Sequence, residues 1–247
     1  MTMRAAARML LMVATGTLLS GHITATATIP QETPRIEALP LTDPPASPST
    51  PQRVGFGQFV RYGQAVAKAP KGALAPLSAI LSDPVALDGQ RRRCKEDQQP
   101  VAVIDLDPQG GIATVPADPA KQPGLVLGLA VLREAGVVIA WVSDMSADDS
   151  GSLRTALELS GLDPRGEDII SLRREEDDRK FLRITNLAAS ACIIAIAGDE
   201  RADFDERFKY LRSPEAGAAL EPLIGDGWFL VDPIFPASSQ DKEKQGQ

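Results

Sequence analysis

The sequence predicts an α/β fold in which a parallel five-stranded sheet carries helices on both faces. Short apolar segments alternate along the chain with segments of helical periodicity, and strands separated by helices form βαβ crossovers in a parallel sheet. The first core segment, residues 101–106, is a short apolar stretch that leads into acidic residues, as is typical of a buried parallel strand. The chain has 247 residues, of which 43% are hydrophobic, so it can form one medium domain with appendages.

The predicted strands and helices of the core follow one another in order from residue 101 onward. Five apolar segments are predicted strands, at residues 101–106, 137–142, 169–172, 192–197 and 228–231. Three helical patterns lie between them, at residues 124–135, 152–159 and 178–188, and another covers residues 53–81. The acidic run at residues 175–178 falls at the start of the third helix, where it complements the helix dipole and is a weak candidate for a metal site.

The charge and the histidine content exclude several classes of function. The net charge is −7, which argues against nonspecific binding of nucleic-acid polymers because that binding depends on clustered lysine and arginine. His22 is the single histidine, and it lies in a segment that we expect to be removed. Without it the chain forms no Ser-His-Asp triad, Cys-His dyad or imidazole metal site. Catalysis would then depend on carboxylates, hydroxyls, lysine, arginine, backbone groups or a hard metal ion.

The first 27 residues have the pattern of a secretory signal peptide. Arg4 and Arg8 precede an apolar stretch at residues 9–20, and residues 25–27 form an A-x-A cleavage site. A membrane anchor would need about 20 apolar residues, more than this stretch provides. We therefore expect cleavage after Ala27, export to the periplasm or the cell exterior, and no membrane attachment afterwards.

The remainder of the chain divides into four predicted segments. Residues 28–52 form a linker, because prolines at their density there support neither a helix nor a sheet ladder. Residues 53–99 form an N-terminal helical segment, and residues 100–236 form the α/β domain. Residues 237–247 are a polar tail that we expect to be disordered.

Cys94 and Cys192 are the two cysteines of the chain, and each precedes a predicted strand. In an exported protein they could form a disulfide if those strands are neighbours. Two buried and inert thiols are the alternative, and the sequence leaves both open.

Polar side chains stand near the carboxyl ends of the predicted strands. The set comprises Asp105 and Asp107 after the first strand, Ser143 after the second, Lys180 in the helix before the fourth, and Asp199 and Asp203 after the fourth. The carboxyl ends of parallel strands meet at one edge of a sheet, where α/β proteins bind their ligands. We therefore expect these side chains to line one crevice.

Such a set of groups suits phosphoryl transfer. Crowded carboxylates need a cation, and a set of oxygen ligands favours Mg²⁺. One carboxylate can attack phosphorus and form an aspartyl phosphate, while a second carboxyl two residues along protonates the leaving oxygen and then activates water. A lysine and a hydroxyl can neutralise charge on the phosphoryl oxygens.

The order of these motifs resembles the haloacid dehalogenase (HAD) superfamily of phosphohydrolases over residues 100–236. The segments that carry the resemblance are VAVIDLD, VVIAWVSD, DRKFLRI, IAGDERADFDE and GWFLVDPIF. Within that superfamily the chain most resembles the exported acid phosphatases of class B and class C, including the lipoprotein-type nucleotidases. The resemblance implies a HAD-like Rossmannoid fold and a Mg²⁺-dependent hydrolysis of small phosphomonoesters through an aspartyl phosphate.

The resemblance also implies a role for each residue of the set. Asp105 would be the nucleophile and a Mg²⁺ ligand. Asp107 would be the general acid and base, with its backbone carbonyl oxygen on the metal.

The remaining residues of the set would bind substrate and metal. Ser143 and Lys180 would hold the phosphoryl oxygens, and Lys180 would also pair with the nucleophile. Asp199 would bind Mg²⁺, and Asp203 would support the metal directly or through a neighbour. Arg183, one helical turn beyond Lys180, would be a further substrate-binding residue.

The chain departs from the family pattern in the loop after Asp107. The first motif continues as DLDPQGG, so Pro108, Gly110 and Gly111 occupy the turn that shapes substrate access. The stretch between Asp107 and Ser143 is also short, which predicts that there is no large cap domain. Neither the substrate nor the oligomeric state follows from the sequence.

Three other functions are alternatives to this one. A catalytically silent HAD-like binding or structural protein would keep the fold, and the DPQGG turn keeps that alternative open. A receiver-like phosphoacceptor domain needs a different order of acid, hydroxyl and lysine along the chain. A generic nucleotide-binding module needs a glycine-rich phosphate loop after the first strand, where this chain has DPQGG.

Overall fold

The computed structural model of the protein describes residues 55–70 and 74–235. The predicted signal peptide with His22, the predicted linker and the predicted tail lie outside these ranges. The helices and strands, in chain order, are α1 (Phe56–Ala67), β1 (Leu77–Leu81), β2 (Arg91–Arg93), β3 (Pro100–Asp105), α2 (Pro123–Glu134), β4 (Val138–Ser146), α3 (Ser150–Ser160), β5 (Ile169–Arg173), α4 (Lys180–Ser190), β6 (Cys192–Gly198) and β7 (Trp228–Leu230). Between β6 and β7 the chain forms three 3₁₀ segments, Arg201–Asp203, Glu206–Tyr210 and Pro214–Leu223.

A five-stranded sheet organises the core, with the strand order β5-β4-β3-β6-β7 and every pair parallel. The five strands predicted from the apolar segments are confirmed. The chain fills the sheet outward from β3 on one side and then returns to β6 on the other side. The strand order therefore reverses between β3 and β6, and this is the position at which open α/β sheets bind ligands.

Each face of the sheet has its own hydrophobic core. Ile104 and Trp141 point to the face covered by α1, α2 and α3. Val103 and Ala140, their neighbours along the strands, point to the other face, which α4, β1 and the 3₁₀ segments cover. This alternation is what a strand buried on both sides requires. Helices on both faces are thus confirmed.

The N-terminal part of the domain differs from its predicted structure. The helical prediction for residues 53–81 is right for α1 and wrong for Leu77–Leu81, which form β1 and pair antiparallel with β2. Pro70 and Pro76 interrupt the helical pattern, because proline lacks the backbone donor that a continuing helix needs. Ser78 of β1 donates a hydrogen bond to the carbonyl oxygen of Ile193 at 3.0 Å, which attaches this hairpin to β6.

Cys94 and Cys192 form a disulfide, with a Cα–Cα distance of 5.4 Å. This settles the alternative that the sequence left open. The bond joins the segment that follows β2 to the first residue of β6. Among residues 55–70 and 74–235, none of the helices has both the length and the apolar character that a membrane span requires.

Candidate active site

The predicted catalytic side chains lie at the reversal point of the sheet, around the carboxyl end of β3. Asp105 is the last residue of β3, and Asp107 lies two residues beyond it in the loop. Both carboxyl groups are buried, as are Ser143 in β4 and Asp203 after β6. Because β3 is buried on both faces, the polar groups that follow it are buried as well. Their contacts with one another compensate for the loss of water.

Lys180, the first residue of α4, connects the two carboxylates of the D-x-D motif. Its Nζ donates to Asp105 Oδ1 and Oδ2, at 2.9 and 2.7 Å, and lies 2.7 Å from Asp107 Oδ2. The side chain is 16% exposed, so these ion pairs lie mostly out of water. The motifs predicted to share a crevice are therefore in direct contact.

Asp107 accepts hydrogen bonds on both carboxylate oxygens. Ser143 Oγ donates to Oδ1 at 2.5 Å, and the backbone N–H of Ala113 donates to the same oxygen at 3.0 Å. The backbone N–H of Asp144 donates to Oδ2 at 2.7 Å, next to Lys180 Nζ. Four donors from three segments of the chain thus fix the orientation of this carboxylate.

The end of β6 brings a second pair of carboxylates beside the first. Asp199 Oδ2 accepts the backbone N–H of Gln109 at 2.9 Å, which links it to the loop after β3. Asp203 Oδ2 accepts the backbone N–H groups of Asp199 and Glu200, each at 3.0 Å. A Cβ on Gly198 would lie 2.5 Å from Asp203 Oδ2, so this approach requires glycine at the end of the strand.

Arg183 is turned toward the protein around the site. Its guanidinium donates to the carbonyl oxygen of Ser143 at 2.8 Å, to Asp144 Oδ1 at 2.9 Å and to the carbonyl oxygen of Asp178 at 2.9 Å. The substrate-binding role that the resemblance implies for Arg183 stays a prediction. The contacts that it makes in the structure are with the end of β4 and the segment before α4.

The electrostatics of the site follow from burial and from the shared ammonium group. Burial raises the pKa of Asp105 to about 6, with Lys180 opposing this effect and Asp107 adding to it. Burial also acts on Asp107, but Lys180, Ser143 and the N–H of Ala113 outweigh it and hold the pKa of this carboxyl below its usual value. Burial and the charge of Asp105 raise the pKa of Asp203. Burial would lower the pKa of Lys180, but the neighbouring carboxylates outweigh it and raise that pKa.

The donor set fits a hard divalent cation on chemical grounds. The carboxyl groups of Asp105, Asp107 and Asp203 lie around the ammonium group of Lys180, and buried Asp199 lies next to Asp203 after β6, so buried carboxyl groups outnumber this ammonium group. Oxygen donors with excess negative charge favour Mg²⁺ over softer metals. Within the described ranges, no three carboxylate, thiolate or imidazole side chains form a metal-binding group of their own. A cation here would therefore depend on two carboxylates together with backbone, water or substrate oxygens.

Two depressions open beside these residues. One, of about 790 Å³, lies between residues 112–117, the end of β4 and α3. The other, of about 230 Å³, is lined by Lys180 and Asp203 together with residues of the second 3₁₀ segment. Asp144 and Arg173 line both depressions. Asp144 thus borders the space of both depressions.

Several groups of the site were not predicted from the sequence. Asp144 directly follows the predicted Ser143, so its position was visible, but its backbone N–H and its pairing with Arg183 were not. Ala113 and Gln109 contribute through their backbone N–H groups. Every residue except proline has such a group, so the residue type does not indicate this role. The DPQGG turn, which we expected only to shape substrate access, contains Gln109 and so supplies one of these donors. The N–H of Gly111 donates to the carbonyl oxygen of Pro108 at 2.9 Å and closes the turn around Gln109.

Comparison with known proteins gives similarities of structure only. No protein-family model matches the sequence, and no curated protein matches it significantly. The structure of the class C acid phosphatase from Bacillus anthracis is similar, with a TM-score of 0.49 and 16% sequence identity over 72% of this chain and 76% of that chain. The crystal structure of class C acid phosphatase from the same organism with tungstate bound gives a TM-score of 0.46 and 14% identity over 78% of this chain and 90% of that one. Both are class C acid phosphatases, the group that the sequence motifs resemble, and similarity at these values is silent on activity.

Proposed function

We propose that the protein is a Mg²⁺-dependent phosphomonoesterase of the HAD type, acting through an aspartyl phosphate. The observation that carries this proposal is the contact of Lys180 Nζ with both Asp105 and Asp107, beside Ser143. A nucleophilic carboxylate, a second carboxyl, an ammonium group and a hydroxyl are the groups that the reaction needs, and they lie within hydrogen-bonding distance of one another.

The first half of the reaction transfers the phosphoryl group to the protein. A carboxylate oxygen of Asp105 attacks phosphorus, and the bond between phosphorus and the leaving oxygen breaks. The carboxyl proton of Asp107 passes to that oxygen, so the product leaves as an alcohol. Lys180 offsets the negative charge on the phosphoryl oxygens, and the hydroxyl of Ser143 does so once it turns from Asp107 Oδ1 to the phosphoryl group.

The second half returns Asp105 to its carboxylate. Asp107, now ionised, takes a proton from a water molecule, whose oxygen attacks phosphorus. The bond between phosphorus and Asp105 breaks, and inorganic phosphate leaves. Asp107 thus gives one proton and takes one back, so the protein ends the cycle unchanged.

The first step needs an ionised Asp105 and a protonated Asp107, but the pKa values of the free site favour the reverse. Asp105, the nucleophile, has a raised pKa, while Asp107, the acid, has a lowered one. A divalent cation held by Asp105, Asp199 and the backbone carbonyl of Asp107 would supply positive charge that keeps Asp105 ionised and would orient the phosphoryl oxygens. The negative charge of a bound phosphomonoester beside Asp107 favours its protonated form.

We also propose that the protein acts outside the cytoplasm, on small phosphomonoesters. The signal-peptide pattern supports export, and the disulfide between Cys94 and Cys192 supports an oxidising compartment. The excess of acidic charge around the site argues against nucleic-acid polymers as substrates. The two depressions that Asp144 borders leave room for a small leaving group.

The test is hydrolysis of a chromogenic phosphomonoester by the protein from Thr28 onward. The assay runs from pH 5 to 8 with Mg²⁺ or with chelator, and with Asp105→Asn and Asp107→Asn alongside. We expect turnover that needs Mg²⁺, is abolished in Asp105→Asn and is crippled in Asp107→Asn, while both variants stay folded. Full activity in chelator would count against the metal, and activity in the Asp105 variant against the mechanism.

A silent HAD-like binding protein is the second candidate. The observation in its favour is that Asp107 accepts four donors, two of them backbone N–H groups, which favour its ionised form and so oppose the donation of a proton. Absence of turnover in folded protein, combined with saturable binding of orthophosphate or tungstate, would favour this alternative.

A further inference from the structure

Arg183 is the second cation that the first turn of α4 brings to the site, three residues after Lys180. Its side chain is only 9% exposed. The guanidinium donates from Nη2 to the carbonyl of Ser143 and to Asp144 Oδ1, and from Nη1 to the carbonyl of Asp178. Because a planar guanidinium donates in fixed directions, these bonds tie α4 to the end of β4 in one orientation.

The peptide group between Ser143 and Asp144 connects Arg183 to Asp107. Its carbonyl oxygen accepts from Arg183 at 2.8 Å, and its N–H donates to Asp107 Oδ2 at 2.7 Å. A hydrogen bond from a cation to the carbonyl of a peptide polarises that peptide and strengthens the bond that its N–H donates. Ser143 also donates a hydrogen bond from its hydroxyl to Asp107 Oδ1 at 2.5 Å.

We propose that Arg183 is a positioning residue, which holds Asp107 for proton transfer through the Ser143–Asp144 peptide group. The inference rests on the phosphatase function proposed above. It replaces the substrate-binding role that the resemblance implies, because Arg183 acts on the reaction through Asp107 and not through the phosphoryl group. Asp144, which is 34% exposed, pairs with Arg183 and so belongs to the same set of contacts.

This role has a consequence that depends on the leaving group. An alkoxide is a poor leaving group, so cleavage of an alkyl phosphate needs the proton of Asp107. Nitrophenolate is a good leaving group, so cleavage of a nitrophenyl phosphate depends little on the proton of Asp107. A general acid contributes about 10²- to 10⁴-fold to a rate, and loosening it removes part of that factor from alkyl phosphates.

The experiment compares kcat/KM for glycerol 2-phosphate and 4-nitrophenyl phosphate, with Mg²⁺ present, in the wild-type protein, Arg183→Lys and Arg183→Met. The quantity kcat/KM covers the steps up to phosphoryl transfer and so isolates the protonation of the leaving oxygen. In Arg183→Met we expect a loss of about 10-fold or more with the alkyl ester and less than about 3-fold with the nitrophenyl ester. Arg183→Lys keeps the positive charge but loses the planar set of guanidinium donors, so its loss of kcat/KM should be intermediate.

Arg133→Lys is the matched control. Arg133 also has a partly buried guanidinium, which pairs with Asp168 at 2.5 Å and donates to the carbonyl of Leu162 at 2.6 Å, away from the candidate site. We expect this variant to lower the thermal unfolding temperature and to leave the ratio of the two kcat/KM values at its wild-type level. The unfolding temperature is measured for all variants, so a loss of stability is separated from a loss of positioning.

Three results would overturn the inference. Equal losses of kcat/KM with both esters, together with a raised KM, would assign Arg183 to the phosphoryl group itself. Losses that follow the unfolding temperature and leave the ratio unchanged would make Arg183 merely structural. If the wild-type protein hydrolyses neither ester, the proposed function fails and the inference fails with it. The first two results require an active wild-type protein, so they refute the inference and leave the proposed function standing.

Discussion

Lys180 is the residue on which the electrostatics of the site depend. It is the only ammonium group of the described ranges in contact with Asp105 and Asp107, and both carboxyl groups are buried. Without a cation, a buried carboxylate favours its protonated form, because burial penalises charge. The charge state of the D-x-D motif therefore depends on one side chain from a distant helix.

Replacing Lys180 by methionine should make the stability of the protein depend on pH. The variant leaves two buried carboxyl groups without their ammonium partner. The pKa of Asp105 then rises further above the unfolded value of about 3.9, and the pKa of Asp107 rises from below its usual value because burial is no longer opposed by Lys180. A group whose folded pKa is raised destabilises the fold at high pH, and this cost disappears as the group is protonated at lower pH. We expect a loss of about 3–5 kcal/mol at pH 7.5 that shrinks toward pH 5.

Urea unfolding at pH 5, 6 and 7.5, in chelator, measures this dependence. Lys95→Met is the control, because Lys95 is exposed and its removal should cost little at any pH. A loss of stability in Lys180→Met that stays constant over the three pH values would contradict the electrostatic account.

At the scale of elements, close helix packing sets the shape of one face of the sheet. α1 packs against α2 through glycine, and a Cβ on Gly128 would lie 2.8 Å from Val60 Cγ2 and 3.0 Å from Phe56 Cε1. Valine is stiff at χ1, so Val60 has little room to withdraw. Gly124, one turn earlier in α2, has open space around its Cα and is exposed.

The same substitution should therefore have opposite effects at these two glycines. Gly128→Ala forces α1 and α2 apart, and we expect a loss of about 1–2 kcal/mol, since overpacking outweighs the gain in helix propensity. Gly124→Ala should be neutral or stabilise by up to about 0.5 kcal/mol. Chemical denaturation of both variants, compared with wild type, checks the prediction. Equal effects at the two positions would show that α1 and α2 do not meet as described.

At the scale of the whole molecule, the disulfide connects the N-terminal hairpin region to the centre of the sheet. Cys94 and Cys192 are separated by 98 positions in sequence, and the closed loop contains β3, β4, β5 and the helices between them. A cross-link over such a loop restricts the unfolded chain strongly. The bond lies at the amino end of β6, while the candidate site lies at the carboxyl end.

Replacing both cysteines by serine should lower stability much more than activity. The chain-entropy model gives a loss of about 4–5 kcal/mol for a loop of this length. Urea unfolding of the double variant should match that of wild-type protein under reducing conditions. The proposed phosphatase activity at low temperature should change little, because the candidate site lies at the opposite strand ends. A wild-type midpoint unaffected by reductant would contradict this role of the disulfide.

The sequence by itself determined the number and order of the core strands and the residues that follow them. Apolar segments and helical periodicity are local properties, and parallel strands bring their carboxyl ends to one edge whatever the details of packing. The sequence therefore predicts that Asp105, Asp107, Ser143 and Lys180 lie close together, and the structure brings them into contact. The wrong helix at residues 77–81 has a local cause as well: a short apolar segment suits a strand or a helix, and the partner strand decides.

The tertiary structure alone decided what each polar group contacts. Arg183 was placed near the site by its position after Lys180, but only the packing of α4 on β4 turned its guanidinium toward Ser143 and Asp144. The backbone donors of the loop after β3 and the disulfide depend in the same way on segments far apart in sequence. A hydrogen bond needs two groups within a few tenths of an ångström of an ideal distance. Periodicity places elements, and the packing of distant segments sets distances of that precision.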